Sequence, residues 1–148
     1  MKRLSKYMVL VMILLLSVVL MTGCYMDDKV TGGGRFENTY RGGGEKCTFG
    51  FNAQGEGWLC DGVEVKGQLQ FNDHDGNKIH IAVATLEDLG NNTYKLTGND
   101  KKSDDEIMVW VTDNGQPGLD DGDYIKVKNV TTGDFWAGEL EGGNIVIH

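Results

Sequence analysis

Two acidic loops hold the densest set of potential metal ligands in this chain. Asp73, Asp75 and Asn77 alternate through one polar segment, and Asp113, Asp120, Asp121 and Asp123 surround Pro117 and Gly118 in another. Oxygen ligands spaced by two residues can converge on one hard cation, and Ca2+ takes about six to eight of them, with backbone carbonyls and water completing the shell. The first loop is not an EF-hand: Lys78 stands where that motif needs Gly, and Ala84 where it needs Glu. The competing expectation is that these short carboxylates cap turns and keep strand edges soluble.

Three histidines, His74, His80 and His148, form a second constellation. His74 and His80 bracket one expected hairpin, and a C-terminal strand could bring His148 near them. Neutral imidazoles together with Asp73 would suit Zn2+, although the spacing fits three unrelated surface histidines equally well. The aromatic set is Trp58, Trp110 and Trp136 with Tyr124 and Phe135, a possible platform for sugar. Trp110 lies in an apolar run and is expected in the core. Trp58 and Trp136 are the expected exposed pair and the ligand-contact candidates.

Nucleophilic chemistry finds little support. The serines are Ser5, Ser17 and Ser103, and none has a base near it in sequence. Carboxylate pairs leave a two-carboxylate glycosidase formally open, but no insertion is long enough to build a cleft. The glycine triplets precede no helical pattern and carry no Lys-Ser/Thr, so no phosphate loop is present.

These groups need a compartment, and the N-terminus supplies one. Lys2, Arg3 and Lys6 precede an apolar run over 7–20, which ends in Met21, Thr22, Gly23 and Cys24. About 14 apolar residues are short for a bilayer-spanning helix, which needs roughly 20. Positive charge followed by a short apolar segment and small residues is an export signal. Here it ends in a lipobox-like cysteine, with Met21 where Leu is commonest. The expectation is a lipoprotein signal peptide over 1–23, with Cys24 lipidated and the chain anchored to a bacterial membrane. A plain signal peptide or an uncleaved anchor is the alternative.

Cleavage there removes three of the 14 basic residues and none of the 22 acidic ones, leaving 11 against 22 and a formal charge of −11 over 125 residues. That length suits one domain. The charge argues against a nucleic-acid partner, which needs clustered Lys and Arg, and against electrostatic adhesion to anionic headgroups. With Cys24 assigned to lipid, Cys47 and Cys60 remain in an oxidising-permissive setting. A hairpin turning near Ala53 and Gln54 would oppose them and permit a disulfide; two free thiols are the alternative.

Several elements must position these groups. The glycine triplets at 32–34 and 42–44 suggest that 24–45 is a flexible tether. From 46 onward, strand signals recur about every ten residues. Val63, Val65, Gly67, Leu69 and Phe71 alternate with Glu64, Lys66, Gln68 and Gln70, and Ile79, Ile81 and Val83 alternate with His80, Ala82 and Ala84. Residues 106–112 are apolar on both faces, which predicts a central strand covered on both sides. Residues 85–89 could form one helical turn, and Asn91 and Asn92 lead into another short strand, Thr93 to Thr97.

Five motifs then occur in order: Val-Thr-Gly-Gly-Gly at 30–34, Cys-Thr-Phe-Gly-Phe-Asn-Ala at 47–53, Gly-Gln-Leu-Gln-Phe-Asn-Asp-His at 67–74, Val-Thr-Asp-Asn-Gly-Gln-Pro-Gly at 111–118 and Gly-Gly-Asn-Ile-Val-Ile-His at 142–148. Together they resemble the bacterial exported post-COAP β domain, over nearly the whole mature chain. The resemblance implies a small all-β extracellular module and brings no established activity or catalytic residues. Cys47 departs from it, since Ala is usual there, so a disulfide would be local to this protein.

The expected architecture is an antiparallel β-sandwich or flattened barrel of roughly seven to nine short strands over 46–148. The expected function is a noncatalytic cell-surface lipoprotein module for binding or structure, with Ca2+ as a candidate stabiliser and an envelope glycan or protein as partner. A carbohydrate-binding module and a small extracellular hydrolase are the alternatives.

Overall fold

The computed structural model describes residues 25–40, 43–58, 62–115 and 122–148, without the side chain of Trp58. Nine strands account for most of this length: β1 Tyr25–Glu37, β2 Lys46–Trp58, β3 Gly62–Asn72, β4 Lys78–Ala82, β5 Thr85–Gly90, β6 Thr93–Asn99, β7 Glu106–Thr112, β8 Tyr124–Asn129 and β9 Phe135–Ile147. They form one antiparallel sheet in the order β4-β3-β2-β1-β9-β8-β7-β6-β5. The all-β, sandwich-like expectation holds, and the sheet is not closed into a barrel.

Two long crossings fold this sheet onto itself. The first part of β9 pairs with β8 and its second part with β1, the change falling at Glu139 and Leu140. On the other side, β4 runs into β5 through Val83 and Ala84. The Val83 N–H donates to Gly67 O at 3.0 Å, and the next N–H, of Ala84, to Thr97 O at 2.7 Å. One strand therefore serves β3 first and β6 next.

Alternation then puts one apolar face of each half inside. From the first half come Val30, Phe36, Phe49, Phe51, Leu69, Phe71, Ile81 and Ile145; from the second come Leu86, Leu96, Ile107, Val109, Val111, Ile125, Val127 and Trp136. Aromatic rings fill the middle, with Phe71 and Trp136 centroids 5.0 Å apart and Phe36 6.2 Å from Phe49. At roughly 25 cal/mol per Å2 this buried apolar surface is the main stabilising term. The period-two pattern on β3 and β4 is as expected, with Leu69, Phe71, Ile79, Ile81 and Val83 all buried.

Four expectations need correction. Residues 25–37 are no tether: β1 is a 13-residue strand paired with β2 along its whole length and with β9 along its second half. Its three glycines are mid-strand. Gly32 and Gly34 face inward, where a Cβ on Gly32 would lie 2.6 Å from the Phe51 ring and one on Gly34 would strike the Gly142 carbonyl. Close packing, not flexibility, explains those two.

The second correction concerns Cys47 and Cys60. The strand β2 is unbroken from 46 to 58 and does not turn near 53, so its ends lie about 40 Å apart at ~3.3 Å per residue. Cys60 lies outside the described residues, but two residues past Trp58 span only about 7 Å, far too little to return to Cys47. Cys47 is a free thiol with 0% exposure.

Thirdly, 85–89 is not helical but part of β5, which joins β6 through a two-residue turn. Asn91 and Asn92, at φ 51 and 54, make that turn, and the strand expected from Thr93 follows as β6; positive φ at both positions is what a twisted hairpin of this length requires. Finally, β7 is covered on one face only. Ile107, Val109 and Val111 are buried, whereas Met108 and Trp110 are half-exposed on the outside.

Candidate functional site

The acidic loops act as turn caps. The Asp73 carboxylate is 2% exposed, and its Oδ1 accepts the N–H groups of Asp75 (3.0 Å) and Asn77 (2.9 Å) while Oδ2 accepts the Asn77 side-chain amide at 2.6 Å. Burial alone would raise its pKa, but the hydrogen bonds from Asn77, Asp75 and Gly76 outweigh burial and hold it below the usual carboxylate range. Asp75 is exposed beside it. In the second loop Asp123 accepts from Asn114 N at 3.0 Å and Ile145 N at 2.6 Å, and Asp113 accepts from Gly115 N and Ile147 N. Asp120 and Asp121 lie outside the described residues. In both loops the described carboxylate oxygens are aimed at N–H donors, the geometry of turn capping.

The histidines share one outer face but do not converge. His74 Nε2 lies 3.1 Å from Thr48 Oγ1, His80 Nε2 3.2 Å from Lys101 Nζ, and His148 Nε2 3.3 Å from Thr31 Oγ1. His80 is on β4, while His148 follows β9, four strand spacings or about 19 Å across the sheet. Asp73, their expected acidic companion, is committed to its own turn.

One of the two expected sugar-contact tryptophans, Trp136, changes places with the core one. Trp136 is 6% exposed and packs on Phe71, so it is no ligand platform. The Trp58 side chain lies outside the described residues. Trp110, expected in the core, sits outside between its cross-strand neighbours Lys95 and Lys126.

The clearest unfilled feature lies on the outer face of β4-β3-β2-β1-β9. Successive registers stack three rows of outward residues there. The middle row runs His80, Gln70, Gly50, Gly33, Asn144. One neighbouring row is Ala82, Gln68, Asn52, Thr31, Val146, and the other is Lys78, Asn72, Thr48, Arg35, Gly142. The floor at β2 and β1 is glycine, and amides, hydroxyls and the two cations Lys78 and Arg35 flank it.

No atom of the described residues comes within 4 Å of a Cβ built on Gly50, and one on Gly33 meets only ordinary contact, 3.5 Å from Phe49 O. Unlike Gly32 and Gly34, this pair has no packing reason to be glycine. A strand-interior glycine weakens a sheet and often marks where a ligand or another backbone comes close.

A wall rises at the β4 edge of the trough. Asp100, just after β6, bridges to Ile81 and opens the turn over 100–105. Its carboxylate accepts from His80 N at 2.7 Å, and from Lys102 N, Ser103 N and Ser103 Oγ. Burial would raise this carboxyl, and these four donors reverse the shift and lower it. The turn so fixed holds Lys101 and Lys102 over the β4 end of the trough. The open depression between this turn and the outer face of β4, β3 and β2, reaching Thr48, Gly50 and Asn52, measures about 1090 Å3, just above the ~300–1,000 Å3 of ligand clefts. Its openness suits an extended chain better than an enclosed small molecule.

The chemistry available is hydrogen bonding. Backbone groups of β1, β2 and β3 are engaged in ladders on both sides, so a ligand lying on this face is read by side chains. Each Asn or Gln offers both a carbonyl acceptor and an NH2 donor, the complement of a sugar hydroxyl. The sequence singled out none of these residues. The available signal was glycine at alternate positions, at Gly33 beside Thr31 and Arg35 and at Gly50 between Phe49 and Phe51, in segments that pair as strands.

Comparison with known proteins gives no match: no family, no curated protein and no solved structure is significantly similar to this chain.

Proposed function

We propose that this chain is an exported, lipid-anchored, noncatalytic module that binds an extended glycan of the cell envelope across the trough of β4-β3-β2-β1-β9. The observation that carries this reading is the cross-strand pair Gly33 and Gly50, open to solvent in the middle of a row bounded by Gln70 and Asn144. Glycine there lets a flat sugar ring approach the sheet, and the amides beside it answer hydroxyls. The export signal ending at Cys24 and the resemblance to the post-COAP domain, which implies a small extracellular module, support the same setting. A noncatalytic role is favoured because Asp100, the carboxylate in the trough lining, is taken up by His80 N of β4 and three donors of its own turn.

The test is binding of the detergent-solubilised full chain to a panel of soluble cell-envelope polysaccharides, beside a Gly50→Gln variant. Wild type is expected to bind at least one, and the variant to bind none while melting at an unchanged or higher temperature. Retained binding by a folded Gly50→Gln protein, or no binding by wild type, overturns the proposal.

A further inference from the structure

The charge around the trough runs against that of the whole molecule. The mature chain has twice as many acidic as basic residues, yet seven of its 11 basic residues, Lys29, Arg35, Lys46, Lys66, Lys78, Lys101 and Lys102, border this one face. Acidic side chains on the same face lie beyond the flanking cations at both ends: Asp27, Glu56 and Glu64 form one row beyond Lys29 and Lys66, and Glu37 and Glu141, one row beyond Arg35, are both paired with Lys46. Lys66 pairs with Glu64 at 3.1 Å. Arg35, Lys78 and Lys101 form no salt bridge with an Asp or Glu among the described residues. Cations left unpaired in an acidic protein, one row of about 7 Å from a neutral, glycine-floored line, concentrate a positive field where a ligand would lie.

Resting on the glycan reading above, we infer that the polysaccharide bound across Gly33 and Gly50 is an acidic one, its carboxylate or phosphate groups pairing with Arg35, Lys78 and Lys101. Arg35 offers a planar fork suited to two anionic oxygens. Lys78 and Lys101 supply point charges at the β4 end, with His80 between them at the end of the glycine row. The middle of the trough carries no outward aromatic side chain among the described residues, so it lacks the stacking surface that single-stranded nucleic acid uses. Sugar hydroxyls on Gln70 and Asn144 and anions on the flanking cations engage both the middle row and its border.

The experiment titrates the detergent-solubilised full chain, by calorimetry at low salt, with four probes: polygalacturonate, its neutral methyl ester, polyglycerol phosphate and an oligodeoxythymidylate. At least one of the two acidic polymers, carboxylate or phosphate, is expected to bind at least tenfold tighter than the methyl ester, and whichever does so identifies the anion. That preference is expected to disappear near half-molar NaCl and in an Arg35→Glu/Lys78→Glu variant whose melting temperature is unchanged. Equal binding of the methyl ester, or an undiminished preference in the charge-reversed variant, overturns the inference. An oligodeoxythymidylate that binds as tightly as either acidic polymer overturns it too, in favour of a nucleic-acid surface. Neutral binding that Gly50→Gln abolishes, without acidic preference, removes this inference and leaves the glycan reading standing. No binding of any probe overturns the acidic assignment, and the glycan panel above then decides the broader reading separately.

Discussion

Gly33 and Gly50 face each other across β1 and β2 with open space above them, while Gly34, one residue on, is pressed against the Gly142 carbonyl on the opposite face. Adjacent glycines in one strand are thus glycine for different reasons. A side chain at Gly50 removes the backbone-entropy penalty of glycine and meets no atom. Gly50→Ala is expected to leave stability unchanged or raise it by up to about 1 kcal/mol. Gly34→Ala forces backbone apart and is expected to cost roughly 1–3 kcal/mol. Urea unfolding of the two variants measures the contrast; equal losses would show that the trough glycines are structural.

The same contrast explains what the sequence made legible. Strands with bulky inward residues announced themselves, as β3 did through Val63, Val65, Leu69 and Phe71. Strands whose inward positions are glycine did not, because Gly32 and Gly34 give no apolar period to count. Gly55 and Gly57 disguised the end of β2 as a loop, which moved the expected turn to 53 and created the disulfide expectation. Leu86 and Leu89 three residues apart imitated a helical stripe in β5, where Leu86 is buried and Leu89, at the irregular register before Gly90, is 45% exposed. The trough was illegible for a deeper reason: its residues meet only through cross-strand register, which no local pattern encodes.

Trp136 and Trp110 separate core from surface. Trp136 fills the space between the two halves against Phe71, so Trp136→Ala is expected to cost about 3–5 kcal/mol. Trp110→Ala removes a half-exposed ring from the outer face and is expected to cost about 1 kcal/mol. Thermal unfolding of both variants checks the order, and a larger loss at Trp110 would contradict the placement.

Asp73 and Asp100 set the acid limit. Both carboxyls are depressed in the folded protein by the donors around them. Their stabilisation is therefore present above the unfolded value of about 3.9 and is lost as pH falls through the lower folded values. Unfolding free energy is expected to fall steadily below about pH 4. Asp100→Ala strands the N–H groups of His80 and Ser103, at a cost of roughly 1–3 kcal/mol at neutral pH, and flattens that acid slope. A variant as acid-sensitive as wild type would assign the slope to other carboxylates.

Cys47 is the last group whose behaviour the fold dictates against the sequence expectation. Burial first, then the negative charges of Asp73, Glu45 and Asp75, push its thiol up to about 12. Thiolate is the reactive form, so the native protein is expected to resist iodoacetamide at pH 8 at this residue and to react once unfolded in urea. The linkage has the opposite sense to that of the aspartates. An acid whose folded pKa is raised favours the folded state below its unfolded value, about 8.5, and that contribution is lost progressively as pH rises from there towards 12. Tyr94, raised by burial and then by its hydrogen bond to Asp28, adds to the same alkaline loss. Cys47→Ala removes the thiol's contribution and is expected to flatten the slope between about pH 8.5 and 9, where Tyr94 in the unfolded chain is at most about a tenth ionised. Mass spectrometry after alkylation reads the first expectation and urea titrations across that range the second. Rapid native labelling of Cys47 would mean that β2 opens at its Lys46 end.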